Sequence, residues 1–174
     1  MQHDTPISET LLEAASRHGA SSEMRCRLIL ERTSGSRAVR GALQRELARV
    51  GLTENGFAAL ALIRSRRPDF VSRGEFSAAL ELPGAGCSEL LTRLELSGLV
   101  SRTRCEHDRR QLRYALTPAG ESCIANALDH YVAAVAKVTG RLDQDDLKAS
   151  IAVEENIRQG AALLAARSFG NGED

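Results

Sequence analysis

Apolar residues recur at intervals of three and four along most of the chain, and at intervals of two in one short stretch. Leu28, Val39, Leu43, Leu47 and Val50 have spacings that fit one buried stripe, so a first long helix is expected over Met24–Val50. Ser34-Gly35-Ser36 works against that helix, because glycine costs helix stability. Gly51 reads as its stop. Thr53 is a good N-cap for a second helix to about Arg66, with Leu52 and Phe57 placed as a hydrophobic staple and Pro68 ending it. Ser72-Arg73-Gly74-Glu75 has the form of a capping box and opens a short third helix to about Leu80. Pro83 and Gly84 break the chain. A fourth helix follows over roughly Gly86–Ser97, stopped by Gly98. Two short helices with a tight connection are what a helix-turn-helix requires.

The period then changes. Leu112, Tyr114 and Leu116 alternate with polar or small residues, the pattern of a half-buried strand. Leu99–Arg104 can pair with it across a polar loop, Cys105–Arg110, to give a β-hairpin. Thr117-Pro118 opens another helix, with threonine as N-cap and proline at the first helical position. Ile124, Leu128, Tyr131, Val135 and Val138 form its stripe, and Gly140 ends it. Asp143 caps a last helix carrying Leu147, Ile151, Ile157 and Leu164. A short hairpin cannot cover both terminal helices, so a second copy of the chain is the expected partner for their apolar faces, in an isologous homodimer. The expected fold class is mainly α with a small β-hairpin wing: a winged helix-turn-helix with N- and C-terminal dimerisation helices. The expected segments are a flexible arm over 1–21 (with a short helix after Ser8), a dimerisation helix over 22–52, a winged lobe over 53–117, C-terminal dimerisation helices over 118–168 and a tail over 169–174.

Composition narrows the picture. Of 174 residues, 43% are hydrophobic but only 3% aromatic, so the core is built from Leu, Ala, Val and Ile, a mixture rich in helix formers. No apolar run is long enough to span a membrane. The polar, acidic N-terminus lacks the basic start and apolar centre of a signal peptide, which makes the cytoplasm the expected location. Net charge is zero, yet Ser101–Tyr114 holds five Arg against two acids, while the stretch from Arg141 holds four bases against seven acids. A local basic patch on a neutral protein is an electrostatic footprint for nucleic acid, although a solvated hairpin gives the same count.

Leu94-Glu95-Leu96-Ser97-Gly98-Leu99-Val100, then Asp108-Arg109-Arg110, then Leu116-Thr117-Pro118-Ala119-Gly120 together resemble the MarR family of winged helix-turn-helix regulators. That family's pattern is a helix ending in LExxGLV, a wing with DxR, and LTxxG opening the next helix. The resemblance runs over roughly residues 24–166. It implies a DNA-binding transcriptional regulator, a repressor released by a small aromatic or anionic effector, acting as a homodimer on a pseudo-palindromic double-stranded operator. It also implies that Arg110 enters the minor groove and that Asp108 orients it, while the fourth helix lies in the major groove. The candidate DNA contacts are Arg73, Gly84, Gly86, Ser88, Arg93, Arg102, Arg104, Asp108, Arg109, Arg110 and Arg113. Small residues at the start of the fourth helix allow close approach of backbone N–H groups to phosphate. Glu89 could accept from a cytosine amino group. The preferred reading is a charge at the helix N-terminus, favoured by the macrodipole.

The four cysteines, Cys26, Cys87, Cys105 and Cys123, include no CxxC pair, and free thiols are expected. Some members of the resembling family sense oxidants through a Cys in the first helix. Cys26 lies near that place, and Cys87 and Cys105 lie near the recognition helix and wing, so these three are the redox candidates. The Tyr partners of such sensors are absent. Cys105-x-His107 offers two ligands, too few for a tetrahedral site, and neither metal nor cofactor is expected. No GxSxG, phosphate loop, HExxH or paired carboxylate is present, so an enzyme is not expected. The alternatives left open are a winged-helix interaction protein with weak or lost DNA binding, and a thiol-based redox regulator.

Overall fold

The structure, a computed structural model, describes residues 6–104 and 112–169. The elements run α1 (Pro6–Ser16), α2 (Ala20–Arg49), α3 (Glu54–Ser65), β1 (Val71–Ser72), α4 (Arg73–Ala79), α5 (Gly84–Leu96), β2 (Val100–Arg104), β3 (Leu112–Leu116), α6 (Pro118–Thr139) and α7 (Gln144–Phe169). The chain divides into two compact units, residues 1–135 and 136–174. No helix among the described residues is long and apolar enough to cross a membrane.

Local chemistry accounts for most of the boundaries. Gly51 has φ 76° at the end of α2. Its N–H donates to Ala48 O (3.1 Å) and that of Leu52 to Leu47 O (3.0 Å), the paired bonds of a Schellman stop. Thr53 caps α3 by accepting from the Gly56 N–H at 3.1 Å. The capping box of α4 is complete, with Ser72 Oγ accepting from Glu75 N–H and Glu75 Oε2 accepting from Ser72 N–H. Asp143 caps α7, its Oδ1 accepting from the N–H groups of Asp145 and Asp146. Serine, threonine and aspartate do this because their oxygens satisfy N–H groups that the first helical turn leaves bare.

The short helix expected after Ser8 is present as α1, and its Ala15 is buried. Two expectations are corrected. Helix α2 starts at Ala20 and passes through Ser34-Gly35-Ser36 unbroken, since one glycine costs only about 1 kcal/mol in a helix and this helix is long. Its stripe is not buried along its length: Leu47 is 1% exposed, but Leu28 is 47% and Val39 39% exposed. Only the C-terminal end of α2 joins the core.

That core belongs to the first unit. Leu47 and Leu52 meet Leu60 and Ile63 of α3, Phe76 of α4, Leu91 and Leu94 of α5, and Ile124 of α6. Phe76 and Tyr114 pack edge to face at 5.7 Å, and Phe57 stacks on Tyr131 at 5.1 Å. The antiparallel sheet has the order β1-β3-β2. Val100 pairs with Leu116 and Arg102 with Tyr114 across β2–β3, and Val71 with Tyr114 across β1–β3. Tyr114 and Leu116 are buried and Leu112 is half-buried, as the alternation predicts. Strand β1 was not foreseen, because two residues are too few to show a period. Gly120 fixes the entry of α6: a Cβ there would overlap the Leu99 carbonyl oxygen. Thr117 reinforces that approach, its Oγ1 donating to Gly98 O at 2.6 Å and accepting from the Gly120 N–H at 3.0 Å.

Candidate nucleic-acid interface

Helices α4 and α5 are joined by a turn in which Glu81 takes φ 52°, a left-handed conformation that glycine adopts more readily. Ser77 holds the turn from both sides: its carbonyl accepts from Leu82 N–H (3.2 Å), and its Oγ donates to Leu82 O (2.6 Å). Helix α5 starts at Gly84, two residues earlier than expected, because Pro83 has the extended backbone of an N-cap rather than breaking the helix. Pro83 offers no side-chain cap, and nothing lies within 4 Å of a Cβ built at Gly84 or Gly86. The start of α5 thus has no side-chain cap and no neighbour crowding its two glycines.

Cys87, Leu90, Leu91 and Leu94 bury one side of α5. The opposite side is open to solvent. Arg73, the first residue of α4, sits beside α5, its Nη1 donating to Ser88 Oγ at 3.3 Å, while that hydroxyl donates to Gly84 O at 2.9 Å. Arg93 is exposed on α5. At the end of α5, Gly98 turns the chain with φ 69°, and Leu99 N–H donates to Leu94 O at 3.0 Å, sending the chain into β2.

The strand arginines divide between two faces, because side chains alternate along a strand. Arg102 and Arg104 lie opposite Tyr114 and Leu112, and Arg113 lies opposite Thr103. Arg102 pairs with Glu95 of α5 at 3.2 Å, linking the helix to the strand. Arg113 lies over the Phe70 ring, 5.9 Å from its centroid, a cation–π contact. Neither partner was identified from the sequence. Glu95 could have been suspected from its position one turn before the Gly98 stop, but pairing depends on strand register. Asp108, Arg109 and Arg110, together with Cys105 and His107, lie outside the described residues.

Of the other thiols, Cys87 is fully buried, with its Sγ donating to Arg73 O at 3.7 Å. Burial pushes its pKa up, with Arg73 opposing in part. A reactive thiol needs access and a stabilised thiolate, so Cys87 is corrected from a redox candidate to a core residue. Burial also raises Cys123. Cys26 is half-buried on α2.

The sequence profile described as the MarR family matches residues 50–111. This lobe is a MarR-family winged helix-turn-helix. Among solved structures, the chain is similar to a MarR family transcription regulator with a TM-score of 0.75, at 24% identity over 87% of this chain and 98% of that one. It is similar to AbsC, a MarR family transcriptional regulator from Streptomyces coelicolor, with a TM-score of 0.68, at 26% identity over 82% of this chain and 95% of that one. It also matches a mutant MarR from E. coli complexed with operator DNA, with a TM-score of 0.63, at 20% identity over 75% of this chain and 91% of that one. The chain matches none of the curated protein sequences. The matched span thus includes α3, β1, α4, α5 and β2, and the candidate contact residues Arg73, Gly84, Gly86, Ser88, Arg93, Arg102 and Arg104 lie on or beside α5 and β2.

Proposed function

We propose that the chain is a DNA-binding transcriptional regulator that works as a homodimer, with α5 in the major groove and the wing beside it. The observation that carries this reading is the geometry of the MarR-family lobe: a helix whose N-terminus has no side-chain cap, flanked by Arg73 and Arg93 and followed by a strand bearing Arg102 and Arg104. Backbone N–H groups and arginines are the usual phosphate contacts. That a similarly folded relative was crystallised with operator DNA supports the same use here. The contact set is Arg73, Gly84, Gly86, Ser88, Arg93, Arg102, Arg104 and Arg113, to which the family resemblance adds Asp108, Arg109 and Arg110. No role in catalysis is assigned.

The dimer rests on unpartnered apolar surface. Met24, Leu28 and Ile29 of α2 and Ile151 and Leu163 of α7 are all exposed, and a second copy of the same helices is a self-complementary cover for them. The finer reading is repression relieved by a small aromatic or anionic ligand.

Fluorescence anisotropy with a labelled duplex from upstream of the protein's own gene tests the reading across a salt series. Expected is a Kd that weakens steeply with salt, with the log–log slope falling by about 0.9 for each phosphate contact removed. Arg104→Ala then lowers the slope, while Asp108→Ala weakens binding despite removing a negative charge. No binding to any duplex at low salt would overturn the proposal in favour of a winged-helix interaction protein. Release of the duplex by an added phenolic acid supports the effector reading, and unchanged anisotropy over a panel of such acids counts against it.

A further inference from the structure

The start of α5 at Gly84 puts Glu89 beyond the first helical turn, which contains no acid. The attraction of a carboxylate to a helix N-terminus falls off within that turn, so the macrodipole does not account for Glu89. Its side chain is exposed. Among the described residues its carboxylate makes no ion pair or hydrogen bond, nor does the exposed guanidinium of Arg93 one turn later, although glutamate four residues before arginine is the favourable order for pairing.

With about 3.6 residues per turn, Ala85, Glu89, Thr92 and Leu96 lie on the side of α5 opposite the buried Cys87, Leu90, Leu91 and Leu94. The hydroxyl of Thr92 is committed to Ser88 O at 2.9 Å. The outward line therefore offers one acceptor group flanked by small or apolar side chains. A carboxylate on this line repels phosphates, and a duplex offsets that cost only where it supplies a donor. In the major groove the base donors are the cytosine N4 and adenine N6 amino groups. Adenine sets its N7 acceptor beside the amino group and so opposes a carboxylate, whereas cytosine presents the amino group without an acceptor of its own beside it.

We propose that Glu89 is a base-reading residue of α5, its carboxylate accepting a hydrogen bond from a cytosine N4 amino group in each half-site, with Ala85 and Thr92 giving apolar contact to neighbouring thymine methyls. The assignment rests on the DNA-binding reading above.

Selection from a pool of random-sequence duplexes with the full-length wild type, Glu89→Gln and Glu89→Ala tests it, with circular dichroism confirming that the variants fold. The wild type selects cytosine at one position of each half-site. Glu89→Ala loses about 5- to 100-fold of discrimination at that position and keeps the rest of the motif. Glu89→Gln loses the cytosine preference and moves toward adenine, whose N6 and N7 suit an amide. The assignment is overturned if Glu89→Ala selects the same motif while binding every sequence more tightly, which is the behaviour of a merely repulsive surface charge. It is also overturned if the wild type retains duplexes without preferring cytosine anywhere. A wild type that retains no duplex even at low salt sinks the DNA-binding reading itself.

Discussion

The MarR-family lobe and the long helices treat their apolar side chains in opposite ways. In the lobe, Leu60, Ile63, Phe76, Leu91 and Val100 are all but sealed from solvent within one chain. On α7 no described side chain is buried, and the N-terminal half of α2 leaves Met24 and Leu28 open. Both regions have regular apolar spacing. What differs is the number of elements that converge: α3 to α5, parts of α2 and α6, and the sheet meet in one core, and their side chains close on one another. A periodic stripe announces burial without saying whether the cover comes from the same chain.

The largest effect is expected at Phe76. Phe76→Ala removes a side chain of 0% exposure that packs against Tyr114, and is expected to cost about 3–5 kcal/mol, read as a lower midpoint in urea unfolding. A change below about 1 kcal/mol would mean that the lobe is not held by its own core. Next comes Ile151→Glu on α7, at 69% exposure. If α7 is covered by a second copy, losing the burial of this side chain removes about 1.5–3 kcal/mol, a ten- to hundredfold weaker dimer by sedimentation equilibrium, with helical content kept. An unchanged association constant would show that α7 is not part of the interface.

A smaller effect is expected at the entry of α4. Ser72→Ala removes the cap and is expected to cost about 1 kcal/mol. The same site carries a pH signature. Hydrogen bonds from the Ser72 backbone and side chain hold Glu75 below its ordinary pKa, with Arg66 adding to the shift. A carboxylate lowered on folding stabilises above its unfolded pKa and loses that contribution as pH falls through its folded one. The urea midpoint therefore drops on acidification through and below the normal carboxylate range, and Glu75→Gln flattens that slope. The smallest effect is a gain. Glu81→Gly relieves left-handed strain at a net benefit of about 0.5–1 kcal/mol after the entropy of glycine, checked by thermal unfolding. A loss of stability would mean that the Glu81 side chain contributes more than its backbone costs.

Much of the lobe was legible from local chemistry. Thr53, the Ser72/Glu75 box, Gly51, Gly98 and Thr117 each solve a problem of unsatisfied backbone groups within a few residues of themselves, and the alternation of Leu112, Tyr114 and Leu116 names its own buried face. The start of α5 was read two residues late, because proline and glycine together resemble a break until the extended backbone of Pro83 is seen to lead straight into a helix. That misplacement gave Glu89 the wrong physical role. Cys87 was misjudged for a related reason: position in sequence put it near the interface, while the helix turns it into the core.

The caps of α3, α4, α6 and α7, the stops at Gly51 and Gly98, the apolar face of β3, and the LExxGLV and LTxxG segments were all readable in the sequence, because these depend on bonds and periods spanning a few residues. Tertiary structure alone decided that Val71 pairs with Tyr114, that Arg102 meets Glu95, that Arg113 lies over Phe70, and that Gly120 must lack a side chain because Leu99 approaches it. Those contacts join groups on separate elements, and each depends on the register and angle at which those elements close on a shared core, which no local pattern specifies.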